Sequence, residues 1–548
     1  MTAATPPSAA LNASTSWLAA YDRDRIRGSL QAARQSLLDG LASATEQAWL
    51  ECGRALVLRA DMETALAVFR WAATRYPASG DLRVGLAGLY WQMRRRAEAE
   101  TLLRDWLREH AADIGATFLL VRLLLEQGRV QAATDAMNRL FEHGQHDADT
   151  VIQAVEILDD CGRSRDAARI CEGALAHGLQ DPRLHAYAGM LGIQLGEFQR
   201  VREHYDFALA HAPEAVEWNI PIGLSGLQRY SDSSHPDFAL FRTVLERPGL
   251  SDQARTTTLF ALGKACDDVG DYAQATQHFR QGNARAKANS TWSRKHWKRV
   301  VEAHRRAAPC PRILPAPADW VPIFIVGVPR SGTTLLAELL ARHPQVCNRG
   351  ELGWLQSLAQ GLATSPQPRR ESYAEAASVY VAHLRQDDSS ARWFIDKQPL
   401  NLLHIDLIMA LWPNARIIHC QRSARDTALS LWMQSFRDRA HDYAYDFADI
   451  AALMRGCHQL MAHWHAQHTA SIHTVRYEQL VHEPDACLAA LSHWLELPEW
   501  NLASPDSDEH AIRTASAWQA RQPIYTRAIG HWQHYLPHLP ELQQFRTD

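Results

Sequence analysis

A period of 34 residues in the first half of the chain constrains its fold more than any other feature. Stepping from Ala65 lands on Ala99, Ala133, Ala167 and Val201, all small or modest in size. Stepping from Phe69 lands on Leu103, Met137, Cys171 and Tyr205, and Pro77 recurs as Pro213 after four periods. A small residue and a larger apolar one at that distance place one tight approach of two helices in every unit, because helices close up only where a side chain is short. Five such units run from about Ala48 to Pro213 without insertion. Units that bury their apolar faces against their neighbours stack into a curved α-solenoid.

The positions Trp49, Gly53, Leu56, Ala65, Phe69, Ala72 and Pro77 resemble the tetratricopeptide repeat. The register fails over 214–254, where Pro221, Pro236 and Pro248 interrupt, and a further copy reappears at LFALGKACDDVGDYAQATQHF. There Gly263, Gly270, Tyr272, Ala275 and Phe279 take the repeat positions. The concave wall of such a solenoid commonly holds an extended polypeptide, so a peptide or protein partner or substrate docked on the repeats is expected.

Bulk properties exclude more than they assign. Lys plus Arg number 57 against 61 for Asp plus Glu, a net charge of -4, which gives no global pull toward nucleic acid or an anionic membrane. Nine cysteines at irregular spacing, with no C-x-x-C pair, read as reduced thiols and not as a disulfide frame or zinc site. The opening MTAATPPSAALNAST lacks a basic n-region and an apolar h-region, and no run approaches the ~18 apolar residues that span a bilayer. A cytoplasmic protein without a membrane span is expected, with a disordered leader over 1–20 and helical repeats over 21–300.

Five prolines between Pro309 and Pro322 remove backbone donors and fix φ, which places a semi-extended linker over 301–321. Beyond it, over 322–548, β-rich runs alternate with helical patterns. PIFIVGV, WFIDK, ARIIHCQR and SIHTVRY are the runs, and TTLLAELLARH, SARDTALSLWMQSF and DACLAALSHWLEL follow three of them. Apolar strands separated by helices predict an α/β domain with a parallel sheet covered on both faces. Ligands of such sheets bind at the strands' carboxyl ends.

The first strand runs into GVPRSGTT, where Gly327 and Gly332 have the glycine spacing of the P-loop G-x-x-x-x-G-K-[ST]. Thr333 stands where the lysine belongs, and Arg330 sits inside the loop. Glycines let backbone close on a tetrahedral anion, the next helix offers its N–H groups, and Ser331, Thr333 and Thr334 add hydroxyls. Without the lysine that reaches β- and γ-phosphates, the loop argues against an ATPase or GTPase and for a single 5'-phosphate carrying a transferable group, with no metal. HWHAQH is read as three ordinary histidines, His463, His465 and His468, because nothing nearby completes a metal site.

GVPRSGTTLL, RIIHCQRSARDTALSLWMQSF and VRYEQLVHEP together resemble the sulfotransferases that use 3'-phosphoadenosine-5'-phosphosulfate (PAPS), and most of all the tyrosylprotein sulfotransferases. The whole chain resembles the bacterial tetratricopeptide-repeat sulfotransferases. The resemblance implies that Arg330, Ser331, Gly332, Thr333 and Thr334 grip the 5'-phosphosulfate and that Arg422 and Ser430 hold the 3'-phosphate. It implies that Tyr477 contacts the nucleotide and that Ser516 and Gln519 belong to a segment closing over the donor. It further implies that Glu351 is the base for the acceptor hydroxyl, with Lys397 and Arg330 as the cationic clamp. His343, Pro344 and Val346 pair with the family's H-P-x-V, and Lys397 with Pro399 matches its K-x-P. Two positions depart from the family: an Arg is Gln434 here and a Lys is Gln522, with Arg521 or Arg527 as substitutes. The competing reading is a peptide-binding repeat scaffold with a vestigial nucleotide site, against which the intact Arg330, Glu351, Lys397, Arg422 and Ser430 argue. A kinase-like P-loop enzyme is a weaker third.

Overall fold

Where the period predicts tight approaches, the chain forms antiparallel helix pairs. Glu46–Leu58 pairs with Met62–Arg75, Gly80–Gln92 with Arg96–Glu109, and Ile114–Glu126 with Val130–Glu142. Ala148–Asp160 with Ser164–Ala176 and Pro182–Leu195 with Phe198–His211 continue the series. Ala65, Ala99, Ala133, Ala167 and Val201 are all buried, as are Phe69, Leu103, Met137, Cys171 and Tyr205. A Cβ on Gly53 or Gly85 would stand 2.6 Å from the Phe69 ring, so both positions must lack a side chain for the ring to seat. Over 214–254 the prolines open short elements instead of breaking the chain: Pro221 and Pro236 sit in the first turn of helices Ile220–Ser225 and Pro236–Glu246. The further copy is the pair Asp252–Asp268 and Tyr272–Ala288.

This computed structural model describes residues 8–364, 370–436, 438–498 and 524–545. The chain divides into two compact units, Met1–His146 and Asp147–Asp548. The division does not fall at the proline-rich stretch. Within the second unit helix Arg294–Arg306 packs on helix Phe447–Gln467, where Trp297 donates to the Ala452 carbonyl at 3.1 Å. One apolar core runs from Tyr205, Phe260 and Phe279 through Trp297 to Phe324, Trp432 and Phe545. The expected linker is also pinned: Cys310 donates to Asp406 at 2.6 Å and Ile313 to the Ala410 carbonyl at 2.9 Å. The first described element is the helix Ser8–Arg27.

Among its described residues the α/β part holds five strands, β1 (Val321–Gly327), β2 (Val346–Asn348), β3 (Trp393–Asp396), β4 (Arg416–Gln421) and β5 (Ile472–Arg476). They lie in the order β2-β3-β1-β4-β5, and every pairing is parallel. Alternation along β1 divides the cores. Ile323 and Ile325 meet Leu336, Leu339 and Leu491 on one face, while Phe324 and Val326 join the large core on the other. β2 is the strand that the sequence reading misses. No helix among the described residues is long and apolar enough to cross a membrane.

Candidate active site

Because all five strands run the same way, their carboxyl ends share one edge of the sheet, and each delivers residues singled out from the sequence. Arg330 to Thr334 follow β1, and Glu351 follows β2. Lys397, Arg422 and Tyr477 come directly after β3, β4 and β5.

The loop after β1 is shaped by close approaches. Gly327 has φ 155° and a Cβ there would stand 2.5 Å from the Cys420 carbonyl oxygen; Gly332 has φ 96° and a Cβ there would stand 2.4 Å from the Tyr477 ring. Between them Arg330 is left-handed at φ 72°, a conformation that costs a non-glycine residue about 1–2 kcal/mol. That turn joins the loop to β4 and its helix Ala424–Trp432: Arg330 Nε donates to Ser430 Oγ at 3.0 Å, and the Arg330 carbonyl accepts from Arg422 Nη1 at 3.1 Å. The Arg422 guanidinium lies 4.7 Å from the centre of the Tyr477 ring. Burial and the neighbouring Arg422 charge push Arg330 down to about 10. Two guanidiniums this close favour an anion between them. Helix Thr333–Leu340 begins at Gly332, which supplies no side-chain cap, so the first-turn N–H groups face the loop as an anion site requires.

Across from the loop, the buried Lys397 ammonium donates to the Glu351 carboxylate. The Lys397 side chain is 2% exposed and that of Glu351 38%, so the lysine lies beneath and the carboxylate looks outward. Backbone bonds hold this arrangement: Lys397 N–H to the Gly350 carbonyl at 2.8 Å and Arg349 N–H to the Ile395 carbonyl at 2.9 Å. Beneath, fully buried Asp396 accepts from Tyr380 Oη at 2.7 Å and Asn401 Nδ2 at 3.0 Å. Burial pushes its carboxyl up to about 7, with those hydrogen bonds pulling it partway back.

One cleft of about 1310 Å³ takes in Arg330, Gly332, Thr333, Thr334, Glu351, Arg422, Ser430 and Tyr477. Its wall continues onto the helical repeats through Tyr187, Met190, Trp218 and Tyr272. Ser331 is the exception among the predicted loop residues. Its hydroxyl is buried without a hydrogen bond and borders a separate cavity of about 210 Å³ beside His419 and Thr427. Ser516, Gln519, Arg521 and Gln522 lie outside the described residues. Gln434 lines the cleft, and so does Arg527, whose guanidinium sits 3.9 Å from the centre of the Tyr525 ring. The three histidines have other partners: His463 meets Gln467 at 3.0 Å, His465 meets Thr474 at 3.2 Å, and His468 meets Asp406 at 3.6 Å. Sequence reasoning missed Tyr187, Trp218 and Tyr525.

Residues 322–501 match the family described as the Sulfotransferase family, and residues 56–123 match the Tetratricopeptide repeat. An uncharacterized protein of Aquifex aeolicus (strain VF5) is 25% identical over 542 residues, covering 90% of this chain and 68% of that protein. Protein-tyrosine sulfotransferase 1 of Danio rerio is 24% identical over 241 residues, covering 40% of this chain and 67% of that protein. Among solved structures, the sulfotransferase domain from the Synechococcus PCC 7002 olefin synthase is 21% identical, with a TM-score of 0.32 over 43% of this chain and 98% of that one. The chain carries a sulfotransferase-family domain behind tetratricopeptide repeats.

Proposed function

We propose that this chain moves a sulfuryl group from 3'-phosphoadenosine-5'-phosphosulfate to an acceptor hydroxyl, that of a tyrosine in a peptide lying along the repeats. The observation that carries the reading is Glu351, seated on buried Lys397 and opening into the same cleft as Arg330 and the phosphate loop. The domain assignment, repeats over 21–300 and transferase over 322–548, goes with it.

On this reading Gly332, Thr333, Thr334 and Arg330 hold the 5'-phosphosulfate, while Arg422 and Ser430 hold the 3'-phosphate. Ser331 contributes through loop backbone, since its hydroxyl points elsewhere. The acceptor oxygen forms a bond to sulfur as the bond from sulfur to the bridging phosphate oxygen breaks. The acceptor proton passes to Glu351, and the bridging oxygen leaves with its electron pair on the 3',5'-bisphosphate. Arg330 and Lys397 offset charge on the sulfuryl oxygens and leaving phosphate, with no metal. The peptide is supported by the cleft's continuity with Tyr187, Met190 and Trp218 and by the name of the Danio relative. Unbonded cysteines, nine of them, support a reducing, cytoplasmic setting.

Calorimetry with adenosine 3',5'-bisphosphate, alongside transfer assays, tests the reading. Glu351→Gln and Lys397→Ala are expected to lower transfer by roughly 10²-fold or more while bisphosphate still binds. Full transfer by both variants contradicts the assigned roles.

A further inference from the structure

The segment from Ile524 to Tyr535 lines the cleft beside Arg422, and two carboxylates hold it there. Asp426 accepts from the backbone N–H of Gly530 at 2.8 Å and of Trp532 at 3.2 Å. Arg422 Nη2 donates to the Ala528 carbonyl at 2.7 Å. On the opposite side stands Asp267, near the end of the repeat helix Asp252–Asp268. It meets His531 Nε2 at 2.9 Å and accepts from Tyr535 Oη at 2.6 Å. His534 stacks on Tyr272 of the next repeat helix at 4.8 Å. The segment therefore bridges the last helical repeat and the end of β4, and it carries Tyr525 and Arg527 into the cleft with Arg330 and Arg422.

We infer that Asp267 is a positioning residue for donor binding: through His531 and Tyr535 it fixes the segment that sets Tyr525 and Arg527 beside Arg422, so that the last repeat completes the donor site. The inference rests on the donor reading above and deepens it. A repeat domain that only docked the acceptor would leave donor affinity indifferent to Asp267. Here the carboxylate near the end of a repeat helix holds the segment whose Ala528 carbonyl accepts from the guanidinium of Arg422.

The link also responds to pH. Burial pushes His531 down, but the hydrogen bond and charge of Asp267, with Asp426 beyond, outweigh it and leave His531 above its ordinary 6.5. The groups facing it are Asp267 and Tyr272 from the repeats, Asp426 and Arg422 from the sheet domain, and His534 and Tyr535 from its own segment. A raised histidine adds its full contribution below the ordinary value and loses it as pH rises through the raised one. Donor affinity is therefore expected to fall with rising pH across that window.

The test is calorimetry of the full chain with adenosine 3',5'-bisphosphate, together with KM for the sulfuryl donor, in wild type, D267A, D267N and H531Q. D267A is expected to weaken bisphosphate binding about ten-fold and to raise donor KM in parallel, with a smaller change in kcat. D267N still accepts both hydrogen bonds but without charge, so it should weaken binding less. D267N and H531Q should each flatten the dependence of affinity on pH. Unchanged bisphosphate affinity in a folded D267A overturns the inference, as does a wild-type pH dependence that survives in both D267N and H531Q. Where D267A does not fold, D267N and H531Q decide by the same two readouts. A wild type that binds no bisphosphate overturns the donor reading, and this inference with it.

Discussion

Replacing Asp396 with Asn probes the floor of the site through the pH dependence of stability. The Asp396 carboxyl is fully buried, one residue before Lys397, and its pKa stands at about 7 against an ordinary 3.8. Because the folded value is raised, the folded chain holds this proton more tightly than the unfolded one, and the stabilisation is complete below the ordinary value and lost as pH rises through about 7. At 1.36 kcal/mol per unit the whole effect is about 4 kcal/mol, and more than half of it is lost between about pH 5 and about pH 8. Asn keeps an oxygen to accept from Tyr380 and Asn401 but cannot ionise, so D396N should lack this component. Urea unfolding of wild type and D396N at several pH values reads the difference directly, since the other titrating groups cancel between the two. Wild type should lose stability relative to D396N as pH rises. A constant difference, or one of opposite sign, refutes the burial argument for this carboxyl.

The anion site carries two further expectations. Arg422→Ala should weaken adenosine 3',5'-bisphosphate binding by roughly 10–100-fold and Ser430→Ala by about ten-fold or less, both read by calorimetry, because one removes a charged fork and the other a single hydroxyl. Gly332→Ala places a Cβ 2.4 Å from the Tyr477 ring at φ 96°, so it should lower stability by about 1–3 kcal/mol in urea unfolding and weaken the same ligand.

Much of this architecture is legible in sequence because periodicity and glycine spacing are local signals. The small positions from Ala65 to Val201 mark the helix pairs, and Gly327 and Gly332 mark the loop whose backbone must pass close to Cys420 and Tyr477. β2 is invisible for a physical reason: three residues, Val346–Asn348, are too few to show alternation. The direction of Ser331 is equally hidden, since side chains in a tight loop follow no period. Proline content suggests a linker over 301–321, yet prolines report only missing donors, and contacts from distant residues such as Asp406 and Ala410 hold that stretch in place. The contacts of Asp426 and Asp267 with Gly530, His531 and Tyr535 join residues more than a hundred positions apart, which no local pattern encodes.

Sulfuryl transfer to a hydroxyl is tested most directly by incubating the full chain with radiolabelled 3'-phosphoadenosine-5'-phosphosulfate and a panel of tyrosine peptides, carbohydrates and simple phenols. Label is expected on a tyrosine peptide with wild type and little or none with Glu351→Gln. Label on no hydroxyl acceptor, or equal labelling by Glu351→Gln, contradicts it.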